Sequence, residues 1–272
     1  MREYSFFLTG WHKRIARHTL NVKDDLALAF RLIRMAAEIG MSGFQSTFVT
    51  QEKADGSPVT EIDLAIEQAL LRILAEERPF DTVLGEEFGT TGTAPRRWIL
   101  DPIDGTFNFV DGNDCWGTHV ALEQDGEIVL GIISRPARDQ CWWAVRGAGA
   151  YKAPLTDFRQ KEQLQVSSIA TLAQSQASVW GQIPAAPLAR INNETQRKQP
   201  ELDDILRLAE GKLEIVIDPL GKVWDHAPAM ILVEEAGGRF YDQAWGRRFD
   251  SGEGRFTNGR IDQQLKQLFK ET

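Results

Sequence analysis

The chain has 272 residues, enough for one large α/β domain or two small ones with a substantial core. An apolar share of 42% and a charged share of 26% are ordinary for a globular protein, and no run approaches the ~18 uninterrupted apolar residues of a membrane helix. With 31 basic and 39 acidic side chains the formal charge is −8. That argues against nucleic acid as the main partner, although bound cations would let an acidic protein hold a phosphorylated small molecule.

Residues 1–21 carry Arg2, Lys13, Arg14 and Arg17 with no acid after Glu3. The apolar stretch there is too short for a secretory signal, so the segment reads as an N-terminal extension: a surface arm or an oligomer contact. Helical spacing of Leu26, Ala29, Phe30, Ile33, Ala36 and Ala37 predicts a helix from Asp24 to Phe44. Lys53–Pro58 is turn-rich. Thr60 is a fitting N-cap for a second helix running to about Glu77, with Asp63 in its first turn. Strands follow at "TVLGEEFG", "RRWILD" and the hairpin "HVALEQDGEIVLGIISRP", and a strand pair at "CWWAVRGAGAYKA".

After Lys152 the composition loosens. "LQVSS" and "ASVWG" read as strands, and 181–200 as a loop with room for a short helix. A helix spans Glu201–Glu210, a strand "LEIVID", and a further helix begins near Asp225 and stops at Gly237–Gly238. "RFYDQ" and "RFTNG" close the sequence before a short terminal helix. The organisation expected is an extension at 1–21 and one domain at 22–272, with lobes of about 22–155 and 156–272. Cys115 and Cys141 form no ligand pattern and read as free thiols in a reducing cytoplasm.

The informative acids lie where the backbone turns: Glu86 and Glu87 after Gly85, Asp101 and Asp104 around Pro102–Ile103, and Asp225 at a helix start. Asp101 ends the apolar run Trp98-Ile99-Leu100. A buried unpaired carboxylate is costly, and a second one three residues on makes it worse. Arg96 and Arg97 precede the strand, and nothing basic follows until Arg135. A divalent cation would relieve the repulsion, and oxygen ligands favour Mg2+ or Mn2+ over Zn2+. Gly105 lets the backbone approach a ligand, and the Thr106 hydroxyl can orient a water. Metal-assisted phosphoester hydrolysis and a local Asx-turn at Asp-Gly-Thr are the two readings of this stretch. His12, His18, His119 and His226 read as structural, with His226 a possible outer-sphere neighbour of Asp225.

"GEEFG", "WILDPIDGTFNF" and "WDHAPAMILVEEAGG", in that order and preceded by "KADGSPVTEIDLAIE", resemble the motifs of the inositol monophosphatase superfamily, including bacterial histidinol-phosphate phosphatases. The resemblance implies an α/β fold, the layered α-β-α-β-α sandwich of the sugar phosphatases, often a homodimer. It implies Glu86, Asp101, the Ile103 carbonyl, Asp104 and Asp225 as ligands of two or three Mg2+ ions, with Mn2+ able to substitute and lithium inhibiting. It implies Thr106, supported by Asp63 and Glu86, as the water-activating group, and the Gly105 and Thr106 amides as phosphate ligands. Lys53 falls in the family's mobile loop. Asp218 and Lys222 fall at substrate-contacting positions.

The segment Lys198-Gln199-Pro200-Glu201 departs from the family pattern. Glu201 could meet a substrate ammonium, whereas Lys222 would repel one. The substrate expected is therefore an inositol 1-phosphate-type polyol phosphate, with histidinol phosphate as the alternative. A bisphosphate nucleotide, fructose 1,6-bisphosphate and a non-catalytic metal-binding role stand further back. The partner expected is a small phosphorylated metabolite, with no nucleic acid and no membrane.

Overall fold

The structure, a computed structural model, describes residues 22–270. The extension expected at 1–21 lies outside the described residues. In chain order the elements are α1 (Val22–Gly43), β1 (Thr50–Glu52), β2 (Pro58–Thr60), α2 (Glu61–Glu77), β3 (Thr82–Gly85), β4 (Gly89–Thr91), β5 (Arg97–Asp104), α3 (Thr106–Val110), β6 (Gly117–Gln124), β7 (Glu127–Arg135), β8 (Gln140–Val145), β9 (Gly149–Ala153) and β10 (Glu162–Gln163). Then come β11 (Gln176–Val179), α4 (Ala185–Glu194), β12 (Gln196–Lys198), α5 (Asp204–Ala209), β13 (Ile215–Asp218), α6 (Val223–Glu235), β14 (Arg239–Tyr241), β15 (Gly254–Thr257) and α7 (Asp262–Leu268).

Two large sheets organise the chain. One has eight strands in the order β10-β9-β8-β7-β6-β5-β3-β4, and the other has five in the order β12-β11-β13-β15-β14. Period-two alternation gives each central strand two apolar faces. On β5, Trp98 and Leu100 face a core shared with Leu32, Ile33, Ile66 and Leu70 of α1 and α2. Ile99 faces the opposite core, with Met230 and Ile231 of α6. On β13, Val216 joins that same core, while Ile215 and Ile217 face Ile191 of α4 and Leu265 of α7. The layers are therefore α1/α2, the eight-stranded sheet, α5/α6, the five-stranded sheet and α4/α7, an α-β-α-β-α arrangement. Helix α6 is apolar almost all round because it is buried between two sheets.

The elements differ from the sequence reading mainly after Lys152. Residues 181–200 hold a ten-residue helix, α4, and an edge strand, β12. "LQVSS" is not a strand: Leu164 leaves the first sheet just after β10. The helix expected over Glu201–Glu210 is confined to the six residues of α5. No described helix is long and apolar enough to cross a membrane.

Candidate active site

β5 decides the geometry. In a regular strand, residues three apart point to opposite faces. Here Asp101 pairs with His119 of β6 and Asp104 with Gly117, so three steps on β5 oppose two on β6. This bulge turns the end of β5, and both carboxylates reach one cluster. Ligand atoms of Asp101, Asp104, His119 and Asp225 lie within 4.8 Å of one another. Asp225 arrives from the first turn of α6, where its Oδ2 accepts the Lys222 amide at 2.6 Å.

Glu86 stands at the cluster's edge, just after β3, its amide bonded to the Leu100 carbonyl at 3.2 Å. Lys53 donates to Glu86 at 2.7 Å and to Glu87 at 2.6 Å. Burial alone would lower the Lys53 pKa, but these two carboxylates hold it well above its ordinary value. The turn carrying Glu86 is shaped by Glu67, fully buried on α2, which accepts the Glu87 and Phe88 amides at 2.9 Å each. Gly85 makes room for it: a Cβ there would sit 1.8 Å from Glu67 Oε1.

Asp63 is also buried on α2, one turn before Glu67. Its Oδ2 accepts the Thr60 amide at 2.8 Å and the Thr60 hydroxyl, and its Oδ1 lies 3.3 Å from the Thr106 hydroxyl. Burial raises the Asp63 pKa, opposed by those Thr60 bonds. The Thr106 hydroxyl also lies 2.9 Å from the Ile103 carbonyl. Gly105 turns the chain from β5 into α3 with φ +81, where a Cβ would meet Leu202 at 2.6 Å.

The acids divide electrostatically. Burial, reinforced by the charges of Glu86, Asp104 and Asp225, drives the Asp101 pKa well up, and its Oδ1 has no hydrogen-bond partner. Burial and Asp104 drive Asp225 up as well. Burial would do the same to Asp104, but His119 and Arg135 pull it down to about 2. A buried group of carboxylates that resist ionisation, one with an orphaned oxygen, suits a divalent cation.

Asp104, His119, Asp218 and Asp225 border a cavity of about 220 Å³ whose other walls include Trp180 and Leu220. Asp218 is already engaged: Oδ1 accepts the Leu220 and Gly221 amides, and Oδ2 lies 3.1 Å from His226 Nε2. Glu201 does not line the cavity; it pairs with Lys198 and Arg207. Lys222 is exposed and outside the lining. Asp101, Asp104 and Asp225 thus converge with His119, Glu86 stands beside Asp101, Thr106 bridges Asp63 and the Ile103 carbonyl, and Glu201 and Lys222 lie outside the cavity lining.

Two residues of the cluster went unrecognised in the sequence. His119, read as structural, places Nε2 3.0 Å from Asp104 Oδ2. Arg135, which follows Asp104 by 31 residues, donates to the same oxygen at 2.9 Å. The sequence offers few basic residues near this loop before Arg135, and the structure brings that one in: β7 carries Arg135 back across the sheet to Asp104. The only sequence signal was a chargeable side chain at the site end of each strand, His119 near the start of β6 and Arg135 at the end of β7.

The family model described as "Inositol monophosphatase family" matches residues 21–271. A Streptomyces griseus protein named glucose-1-phosphate thymidylyltransferase is 45% identical over 84% of this chain and 89% of its own. A Streptomyces coelicolor histidinol-phosphatase is 36% identical over 89% of this chain and 95% of its own. The solved structure of an inositol monophosphatase from Zymomonas mobilis superposes with a TM-score of 0.78 at 29% identity, covering 90% of this chain and 97% of that one.

Proposed function

The chain belongs to the inositol monophosphatase family and is a phosphatase of that family, and from this premise we propose that it hydrolyses the phosphomonoester of a small alcohol with the help of Mg2+. The observation that carries the proposal is the convergence of Asp101, Asp104 and Asp225 within 4.8 Å at the border of a cavity. Glu86, Asp101, the Ile103 carbonyl, Asp104 and Asp225 would hold two or three Mg2+ ions, or Mn2+ in their place. When bound, such ions draw charge from the phosphoryl oxygens and make water more acidic.

The side chains supply the positioning. Thr106 orients the attacking water, and Asp63 holds the Thr106 hydroxyl in turn. The Gly105 and Thr106 amides meet phosphate oxygens, since φ +81 at Gly105 turns the chain sharply there. Glu86 supports the same water and is kept in place by Lys53 and by the turn that Glu67 braces.

Beside its acids, the cavity has an apolar lining that includes Trp180, Leu202, Leu206 and Leu220. A cyclitol would leave hydroxyls unpaired against such a wall. A leaving group with a flat apolar face suits it better, so histidinol phosphate becomes the first candidate and inositol 1-phosphate the second. The histidinol-phosphatase relative supports that order. Asp218 borders the same cavity and, not being assigned to metal, is the acid that faces an ammonium group in place of Glu201.

The test is phosphate release from histidinol phosphate, inositol 1-phosphate, fructose 1,6-bisphosphate and glucose 1-phosphate with Mg2+, then with EDTA, then with lithium. A separate arm pairs glucose 1-phosphate with dTTP and reads pyrophosphate, because the Streptomyces griseus relative's name describes thymidylyl transfer. Mg2+-dependent release that is lost in Asp104→Asn supports the proposal. Pyrophosphate formation without phosphate release would overturn it.

A further inference from the structure

Arg135 ends β7 with its side chain 1% exposed, and its guanidinium is shared between two acids. Nη2 donates to Asp104 Oδ2 at 2.9 Å and Nε to Asp203 Oδ1 at 2.8 Å. Nη1 donates to the Ser134 carbonyl at 3.1 Å. The approach is permitted by Gly117 of β6, where a Cβ would lie 1.7 Å from the Ser134 oxygen and 3.1 Å from Arg135 Nη1. Beyond Asp203 the alternation continues. Arg138 bonds Asp203 Oδ2 at 2.7 Å and then Asp114 Oδ1 at 2.7 Å, and Asp114 is 55% exposed. An alternating line of charge, Asp104–Arg135–Asp203–Arg138–Asp114, thus runs from the cluster to the surface.

A cation held by Asp104 and a guanidinium on the same carboxylate are like charges sharing one anion in a buried setting. We propose that Arg135 is a built-in competitor for Asp104 that sets how tightly the cluster holds a divalent cation, and that Asp203 tunes the competition by taking part of the Arg135 charge. Arg135 is thus a positioning residue. It fixes Asp104 by Oδ2 and weakens the ion that Asp104 binds. Asp203 immediately precedes α5, whose Ile205 and Leu206 line the cavity, so the device joins the cavity wall to the cluster. The inference rests on the reading of Asp104 as a metal ligand.

The test is Mn2+ binding to the full chain by calorimetry and by the Mn2+ electron paramagnetic resonance signal, at fixed pH, beside the metal-free melting temperature. In Asp203→Asn, an isosteric change that keeps an acceptor, Arg135 bears more fully on Asp104 and Mn2+ binding weakens by about tenfold. In Arg135→Met the competitor is gone and binding tightens by about tenfold, while His119 still holds Asp104. A purely structural role weakens binding in both, because both disturb a buried network. Opposite shifts support the inference. Equal shifts, or an unchanged constant in Asp203→Asn, overturn it, and the latter stands even if Arg135→Met does not fold. Asp225→Asn separates the two layers: if it leaves Mn2+ binding intact, the metal-site reading itself fails.

Discussion

Gly131 lies on β7 directly beneath α6, and its replacement by alanine tests whether helix placement sets the cluster. A Cβ at Gly131 would sit 2.5 Å from Ile231 Cγ2 and 2.8 Å from both the Cα and the carbonyl oxygen of Pro228. Two of these three atoms are backbone, so no rotamer change relieves the overlap. An ordinary contact near 3.4 Å requires α6 to withdraw by roughly 0.6 Å. Overpacking of this kind costs about 1–3 kcal/mol, which for a chain of this size lowers the melting temperature by about 2–10 °C. The same shift carries Asp225 away from Asp101 and Asp104, and metal sites tolerate only about 0.5 Å of misplacement. Gly131→Ala is therefore expected to weaken Mn2+ binding by about 10–100-fold, read by calorimetry alongside differential scanning calorimetry. Gly126→Ala is the control. Its φ of +82 makes alanine strained, but nothing lies within 4 Å of the added Cβ and it does not touch α6. It should lower stability and leave Mn2+ binding unchanged. If Gly131→Ala loses stability with full metal affinity, the packing of α6 on β7 does not position Asp225 and the reasoning fails.

Thr106→Val keeps the side-chain shape and removes the hydroxyl between Asp63 and the Ile103 carbonyl. Its kcat is expected to fall by about 10²–10³ with Mn2+ affinity retained and activity restored by Thr106→Ser, and an unchanged kcat would remove Thr106 from the water-orienting role. Glu67→Gln should weaken Mn2+ binding by about tenfold, because a charged acceptor for the Glu87 and Phe88 amides becomes a neutral one; calorimetry reads it, and unchanged affinity would mean the turn needs no bracing. Glu210 supplies a pH test away from the cluster. Burial would raise its pKa, but Lys152, Lys212 and Trp142 hold it below its ordinary 4.5. A depressed folded-state carboxylate stabilises above the unfolded value and loses that contribution as pH falls. Glu210→Gln should accordingly melt lower than wild type near pH 7, with the gap closing below pH 4.5, and a gap that widens on acidification would refute the assignment.

What the sequence disclosed followed from local rules. The alternation in "RWILD" identifies β5, helical spacing identifies α1 and α2, and Thr60 with Asp63 marks a helix start that the structure completes as a capping box. The bulge that brings Asp101 and Asp104 together could not be read from β5 alone, because it exists only in the register with β6. Arg135 and His119 were hidden for the same reason: their partners are set by pairing across the sheet, not by spacing along the chain. Glu67 was legible in principle. It lies four residues after Asp63, on the same face of a helix, but a buried acid on a polar helix looks like a surface one until the turn it braces is known. The segment 181–200 reads as a loop with room for a short helix, and its three prolines conceal how much of it is helical. Pro184 and Pro187 instead stand at and just inside the start of α4, where a missing N–H costs nothing.

The position of Arg135 also changes the argument for a bound cation. From the sequence, repulsion between Asp101 and Asp104 was the reason to invoke one. In the structure Asp104 already has Arg135 and His119, and Glu86 already has Lys53. Asp101 and Asp225 are different: neither forms an ion pair among the described residues, and burial raises both. The cluster is thus graded. Protein cations satisfy the outer pair of acids, and the inner pair is left with two negative charges or with protons. One divalent ion matches that inner charge. A second ion would have to share Asp104 with Arg135 or Glu86 with Lys53, so on the proposed reading the charge arrangement ranks the metal positions, with the one between Asp101 and Asp225 meeting no protein cation.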